Sequence, residues 1–376
     1  MDLSLTESHR LTRDLAREFA EQEVAPRAAE LDRRAEFPAD LVARMGELGF
    51  MGIAVPQEHG GAGGDNLTYA LVMEELSRAC AATSAIMAAH NSLVCEPLLV
   101  FGTPTQREEF LRPLAGGKYL GCFALTEPGS GSDATALTAT ARRDGDGWVL
   151  QGTKRFITNG AEADVCIFFG TLDRSKEHKD ISAFVVKKGE FEVARLEEKL
   201  GLNASSCAEL IFDSRVPADR LLGEEGRGFQ IAMEALNGGR ISVGAQAVGI
   251  ARVALEESIA YSRERRTFGK PIGAHQAIQF MIADMATEVD AARLLTRRAA
   301  VLKDQGRPYI REAAMAKLYA SEVAMRVTTK NVQIHGGYGY VREYPAERHF
   351  RDAKITEIYE GTSEIQRLVI ARTFLK

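Results

Sequence analysis

Two stretches of this sequence carry residues of types and spacing that could do chemistry. In the first, Glu360 is held between Tyr359 and Gly361 just ahead of a helix. Ser363 followed three residues later by Gln366 fits a capping box, and Ile365, Leu368 and Val369 begin an apolar face. Gly361 admits backbone conformations that other residues resist, so a carboxylate fixed on this turn is well placed to meet a bound substrate. The same glutamate would equally serve as a plain helix-terminus acid that satisfies the dipole.

The second stretch, residues 123–133 (FALTEPGSGSD), is dense in backbone N–H groups and in the hydroxyls of Thr126, Ser130 and Ser132. Such a loop can hydrogen-bond a planar heterocycle rich in C=O and N groups, or a phosphate. An ordinary polar turn has the same composition. Gly129-Ser130-Gly131 with Ala134 imitates part of a dinucleotide fingerprint, but the chain continues as strand and turn where that motif needs a helix. Residues 147–154 (GWVLQGTK) imitate a P-loop, with GTK standing where GK[ST] is required. Neither is a nucleotide site of those types.

The elements that must position these residues fall into three parts. Residues 1–118 read as helical, with Leu11, Leu15, Phe19 and Val24 near helical spacing and Leu41, Met45 and Leu48 on one stripe. Residues 67–102 are so apolar that they belong inside the molecule. From 119 to 225 short β-branched and aromatic runs (YLGCFAL, GWVLQGTKRFI, DVCIFFGT, ISAFVVKK, AELIFDSRV) predict an antiparallel sheet or barrel. From 226 to 376 helical periodicity returns. One stripe joins Ile278, Met281, Met285, Val289, Ala292 and Leu295, and another Ile310, Ala314, Leu318, Met325 and Val332. The fold class is α+β: a helical domain, a β domain, then a helix bundle.

A chain of 376 residues can bury large cores, and its net charge of −5 gives no reason to expect a nucleic acid. No uninterrupted apolar run reaches membrane-spanning length, and the first residues resemble neither a signal nor a transit peptide, so a cytoplasmic location is expected. The five cysteines have no CxxC spacing and the seven histidines no HxxxH. That argues for reduced, packed thiols and against a metal site.

The motifs themselves resemble a known family. LTEPGSGSD is similar to the first signature of the acyl-CoA dehydrogenases, and RFITNG (155–160) to their Trp-Ile-Thr-Asn, with Phe156 in place of the usual Trp. ERRTFGK (264–270) is similar to a third family stretch, and QIHGGYGYVREYPAERHFRDAKITEIYEGTSEIQ (333–366) to the C-terminal signature. The resemblance runs in family order along nearly the whole chain. It implies three domains, helical, antiparallel β and four-helix bundle, with FAD between the middle and C-terminal ones.

Carried over by position, it implies that Phe123, Leu125, Thr126, Ser132, Phe156, Ile157 and Thr158 face the flavin. Arg265, Phe268 and Gln276 would reach the FAD of a neighbouring subunit, and Gln333, Gly336 and Gly337 would form the adenine-side loop. Thr362 and Glu364 would contact the cofactor beside the base. Ser132, Asn237, Gly239, Arg240 and Gly361 would contact an acyl-CoA thioester. A Phe at 156 keeps a flat apolar shield but lacks the indole N–H.

The resemblance further implies that Glu360 removes the α-proton of the thioester while flavin accepts the β-hydride, the carbonyl being polarised by an oxyanion-hole arrangement. Some family members carry the base immediately before the residue matching Arg240; that position here is Gly239, so Glu360 is the candidate. Burial under a bound acyl chain should raise the pKa of Glu360 and the adjoining helix terminus should lower it, with burial prevailing once substrate has excluded water. The implied partners are an electron-transfer flavoprotein and further copies of the chain, as a homotetramer. The run ITEIYEGTSEIQRLVIA (355–371) most resembles butyryl-type members, whereas LNGGRI (236–241) looks more like the isobutyryl type. The pocket end is expected between residues 88–93 and 236–245, where Gly238 and Gly239 could leave room for a branch. A same-fold flavin oxidase or monooxygenase is the alternative.

Overall fold

Thr6 caps the first helix: its hydroxyl accepts the His9 N–H at 3.2 Å, and the His9 ring accepts the Thr6 N–H. From that start the computed structural model describes residues 4–173 and 180–375. Helices α1 (Glu7–Phe19), α2 (Ala25–Arg34), α3 (Ala39–Glu47), α4 (Asn66–Ala79), α5 (Ala81–His90), α6 (Glu96–Phe101), α7 (Pro104–Gln106) and α8 (Arg112–Ala115) come before the strands. On α1 the expected stripe is only half right. Leu11 and Leu15 are 65% and 41% exposed, while Ala16, Phe19 and Ala20 are buried. The helix docks on α4 through small alanines, which an apolar-stripe reading undervalues.

Single π-helical turns (Asn91–Cys95 and others) join helices without a break, so Ala81–Phe101 is one 21-residue helix. It is long and apolar enough to span a membrane, although no single apolar run in the sequence is; 78% of its most apolar window is buried inside the fold.

The middle of the chain supplies β1 (Gly121–Ala124), β2 (Thr140–Asp144), β3 (Gly147–Thr158), β4 (Val165–Thr171), β5 (Ile181–Lys187), β6 (Glu192–Leu196), β7 (Cys207–Pro217) and β8 (Leu221–Leu222). They form one sheet in the order β6-β7-β3-β2-β4-β5-β8, with β1 also on β4. The sheet is mixed, not antiparallel as expected, because β1 and β2 both meet β4 in parallel. Hairpin signals cannot reveal such long-range pairs. Both faces of β4 and β5 are covered, which explains their unbroken apolar runs. One face packs on Phe110, Leu111 and Leu114 from the N-terminal helices. The other packs on Trp148, Phe212 and the facing thiols of Cys122 and Cys166. Strand β6 is exposed throughout, so its sequence carries no apolar signal.

The last third of the chain is a helical bundle of α9 (Gly228–Glu264), α10 (Gln276–Asp304), α11 (Ile310–His335), α12 (Ala346–Ile355) and α13 (Ser363–Arg372). A small hairpin, β9 (Arg266–Thr267) with β10 (Lys270–Pro271), links α9 to α10. On α11 the buried stripe is Ala313, Ala316, Lys317, Ala320, Ala324 and Val327, and the predicted anchor Ile310 is 43% exposed. Helices from both ends of the chain share one core, in which Met73, Leu76 and Ile86 pack with Val248, Ile250, Val289 and Val323.

Candidate active site

Glu360 sits at φ +53 and Gly361 at φ +92, so the turn before α13 carries two successive left-handed residues, one of them not glycine. A non-glycine residue held there costs of order 1–3 kcal/mol and persists only where its surroundings fix it. Three groups do so. The Tyr359 hydroxyl donates to Gln246 of α9, whose amide in turn donates to Ala81 O at 2.9 Å. Gln366 Nε2 donates to Glu360 O (3.2 Å) and Gly361 O (2.9 Å). Lys317 Nζ donates to Gly361 O at 2.7 Å. The N-cap is Thr362, whose hydroxyl accepts the Ile365 N–H, one residue earlier than the Ser363 expected. Gln366 is thereby freed from a capping box to bind the turn.

Over Glu360 lies the Gly238-Gly239 pair of α9. A Cβ on Gly239 would stand 1.8 Å from Glu360 Oε2, and one on Gly238 would stand 2.5 Å from Glu96 Oε2. The space these glycines leave is thus filled by carboxylates of this chain. Residue Glu360 as a whole is half-buried, but its Oε2 is shut off from solvent and has no hydrogen-bond partner. Burial lifts its pKa from 4.5 to about 7, against the pull of Lys317 and then Arg240. The opposing force is thus two buried cations, not the helix terminus. Arg240 is buried, donates to Asn237 Oδ1 at 2.5 Å and leaves its Nε unpaired. Glu360, Gly361, Asn237, Gly239 and Arg240 therefore come together.

The polar loop forms a second group. The Arg155 N–H donates to Thr126 O (2.9 Å), laying the loop after β1 along β3. The β3–β7 register shifts between Lys154 and Ile157, and this bulge turns Phe156 outward at φ +60, leaving the residue 56% exposed. Leu125 and Ile157 are buried beside it, while Thr126 and Thr158 are half-buried and Ser132 is exposed. Beneath runs a pair the sequence reading missed: Lys154 Nζ reaches Glu127 Oε1 (2.8 Å) and Leu125 O (3.1 Å), both side chains buried. Glu127 also accepts from the Thr138 and Ala139 N–H groups, so it organises the loop from within. Phe123 packs on Phe169 and joins a small apolar cluster of Ala89, Leu93, Ala235 and Leu236.

A third group lies apart, at the far end of α9. A groove of about 610 Å³ is lined by Tyr261, Arg265, His335, Gly336, Gly337 and Tyr338 among others. The Arg265 guanidinium rests 5.4 Å from the Tyr338 ring centre. Gln333 and Gln276 are exposed, and Phe268, at φ +52 on the hairpin turn, is 94% exposed. Thr362 and Glu364 stay with the first group, at the start of α13.

These features suit a flavin. An outward ring at Phe156, half-buried hydroxyls at Thr126 and Thr158, and open space over Gly129 and Gly131 fit a flat, polar-edged heterocycle. The open glycines 336 and 337 beside an exposed guanidinium fit an anionic or nucleotide end. Of the residues missed from sequence, Lys317 alone left a signal, a lysine at core spacing among alanines.

Comparison with known proteins accords with this geometry. Three family models match: acyl-CoA dehydrogenase N-terminal domain over residues 6–118, middle domain over 122–215 and C-terminal domain over 226–375. The short-chain specific acyl-CoA dehydrogenase, mitochondrial, of Bos taurus is 53% identical over all of this chain and 92% of its own. The butyryl-CoA dehydrogenase of Megasphaera elsdenii superposes with a TM-score of 0.99 at 45% identity, covering both chains fully. A chain from the structure described as the electron transferring flavoprotein of Acidaminococcus fermentans, in work on flavin-based electron bifurcation, also reaches 0.99, at 50% identity and full coverage of both. The chain belongs to the acyl-CoA dehydrogenase family and is an FAD-dependent oxidoreductase.

Proposed function

We propose that the protein oxidises a short, straight-chain acyl-CoA such as butyryl-CoA to its trans-2-enoyl-CoA, with Glu360 as the base. The observation that carries this reading is the Glu360 carboxylate, fixed on a left-handed turn in the space Gly239 leaves. Its pKa near 7 suits a group that must accept a proton at neutral pH and hold it out of water. When bound, FAD supplies the acceptor for the β-hydride. Thr126, Thr158 and the Phe156 ring would hold its flavin, with Phe123, Leu125, Ser132 and Ile157 shaping the same edge and Thr362 and Glu364 closing the other side. The backbone N–H of Glu360 would polarise the thioester carbonyl, and Asn237, Gly239, Arg240, Gly361 and Ser132 would place the acyl-CoA.

The short-chain preference is supported by the occupied glycine pair and by the names of the relatives. Each methylene a pocket accommodates is worth about 0.8 kcal/mol, so closure of its floor by side chains discriminates strongly between chain lengths. The groove bearing Arg265, with Phe268, Gln276, Gln333, Gly336 and Gly337, would hold the FAD of a neighbouring copy in a dimer of dimers. Transfer of electrons to an electron-transfer flavoprotein, in the cytoplasm, completes the reading. The test is anaerobic bleaching of the yellow holoenzyme by butyryl-, isobutyryl- and octanoyl-CoA, followed by turnover with and without electron-transfer flavoprotein. A higher kcat/KM for octanoyl-CoA would refute the short-chain assignment. Rapid oxygen consumption would turn the reading to an oxidase.

A further inference from the structure

Lys317 lies on the buried stripe of α11 between Ala313, Ala316 and Ala320, and is itself fully buried. An ammonium taken out of water is costly unless it is well paired, so its place needs a cause. Among the described residues its one hydrogen bond goes to a main-chain oxygen, Gly361 O at 2.7 Å, and not to a carboxylate. That carbonyl is shared with Gln366 Nε2, so the turn is held from α11 on one side and α13 on the other. The Glu360 carboxylate is faced by Lys317 from α11, Arg240 from α9 and Tyr69 from α4, with Tyr359 next to it in the chain. Glu357 and Glu364 flank Lys317. Of these groups only the two cations oppose the burial of Glu360, and Lys317 acts more strongly than Arg240.

We propose that Lys317 is the positioning residue of the base: it pins the Gly361 carbonyl and so sets the aim of Glu360. Its charge beside the carboxylate also favours the ionised form. The inference rests on the reading of Glu360 as proton acceptor. It adds a residue that would touch neither substrate nor flavin and works through the turn alone. It also accounts for a lysine in a stripe of alanines, since an alanine there would leave the Gly361 carbonyl without this donor from α11.

The test uses FAD-loaded enzyme and butyryl-CoA, with bleaching rates read from pH 6 to 9 for wild type, Lys317→Met and Lys317→Arg. Loss of the nearby positive charge raises the pKa of a carboxylate, so the acid limb of Lys317→Met should move up by about one pH unit, slowing bleaching about tenfold on that limb. Lys317→Arg should bring the limb back. A readout independent of turnover is infrared titration of the Glu360 carboxyl, taken as the difference from Glu360→Gln, which should move upward in Lys317→Met by the same amount. If Lys317→Met fails to fold, Lys317→Gln removes the charge while keeping a donor for Gly361 O. Wild type that bleaches, beside a charge-removing variant whose limb and infrared midpoint are unmoved, overturns the role of Lys317. Wild type that butyryl-CoA does not bleach refutes the proposed oxidation of this substrate, on which the inference rests, instead of the role of Lys317.

Discussion

Gly239 and Glu360 occupy one space: a methyl group on the first would lie 1.8 Å from the carboxylate oxygen of the second. Gly239→Ala should therefore displace the carboxylate and not the helix. In the middle of α9 an alanine gains about 0.5–1 kcal/mol of helix propensity, enough to offset part of the crowding. The melting temperature should change little while bleaching by butyryl-CoA falls by about 10²-fold, the scale of a misplaced catalytic group. Calorimetry and stopped-flow on the same preparation check both halves.

Glu360→Gln should keep FAD and bind acyl-CoA, yet lose flavin reduction by about 10²–10⁴-fold or more, the range that general bases contribute. Its shape fits the same turn, so rapid bleaching of this variant would exclude Glu360 as the base.

Stability should depend on pH through the same residue. The folded pKa of Glu360 is raised from 4.5 to about 7, so the folded protein holds this proton more tightly than the unfolded chain. Its contribution is therefore full below about 4.5 and is lost as pH rises through about 7. Between pH 5 and 8 wild type should lose stability relative to Glu360→Gln, in urea titrations at each pH. A constant difference across that range would contradict the burial of this carboxyl.

Lys154→Met should cost about 3–5 kcal/mol, because it leaves the Glu127 carboxylate buried beneath the polar loop without its cation. Adding Glu127→Gln should recover part of that loss, since an amide is cheaper to bury than a charge. Denaturant midpoints of the two variants give the comparison.

Arg265→Ala should weaken FAD retention without touching the Glu360 turn, since its guanidinium lies in the groove at the other end of α9. Flavin content after gel filtration and sedimentation measured together would show both effects. Full FAD occupancy in a monomeric variant would contradict the shared-groove reading.

Much of this was legible in the sequence because turn chemistry is local. Gly361 announced the turn and the β-branched runs announced the strands, whereas the glycines of α9, read as room for a branched substrate, face carboxylates of the chain itself. What stayed hidden depends on partners far along the chain. The left-handed backbone of Glu360 needs Gln246, Lys317 and Gln366, which lie 113, 44 and 5–6 residues from the atoms they hold. The parallel pairing of β1 with β4 leaves no hairpin signal. The stripes of α1 and α11 were misplaced because closely packed helices meet through alanine, which hydrophobic periodicity weights lightly.

The core shared by α4, α5, α9, α10 and α11 joins residues near both ends of the chain, with the sheet inserted between them. On the ribosome the first helices thus emerge long before the helices that cover them. Their apolar faces, on Met73, Leu76 and Ile86, must wait for residues beyond 240. A fragment ending at residue 118 would present that surface to water and to other nascent chains, and circular dichroism should find it without stable tertiary structure. The sheet, by contrast, has an apolar layer made wholly of its own residues, on Cys122, Trp148, Phe168, Phe184 and Phe212, and can condense while the last helices are still being made.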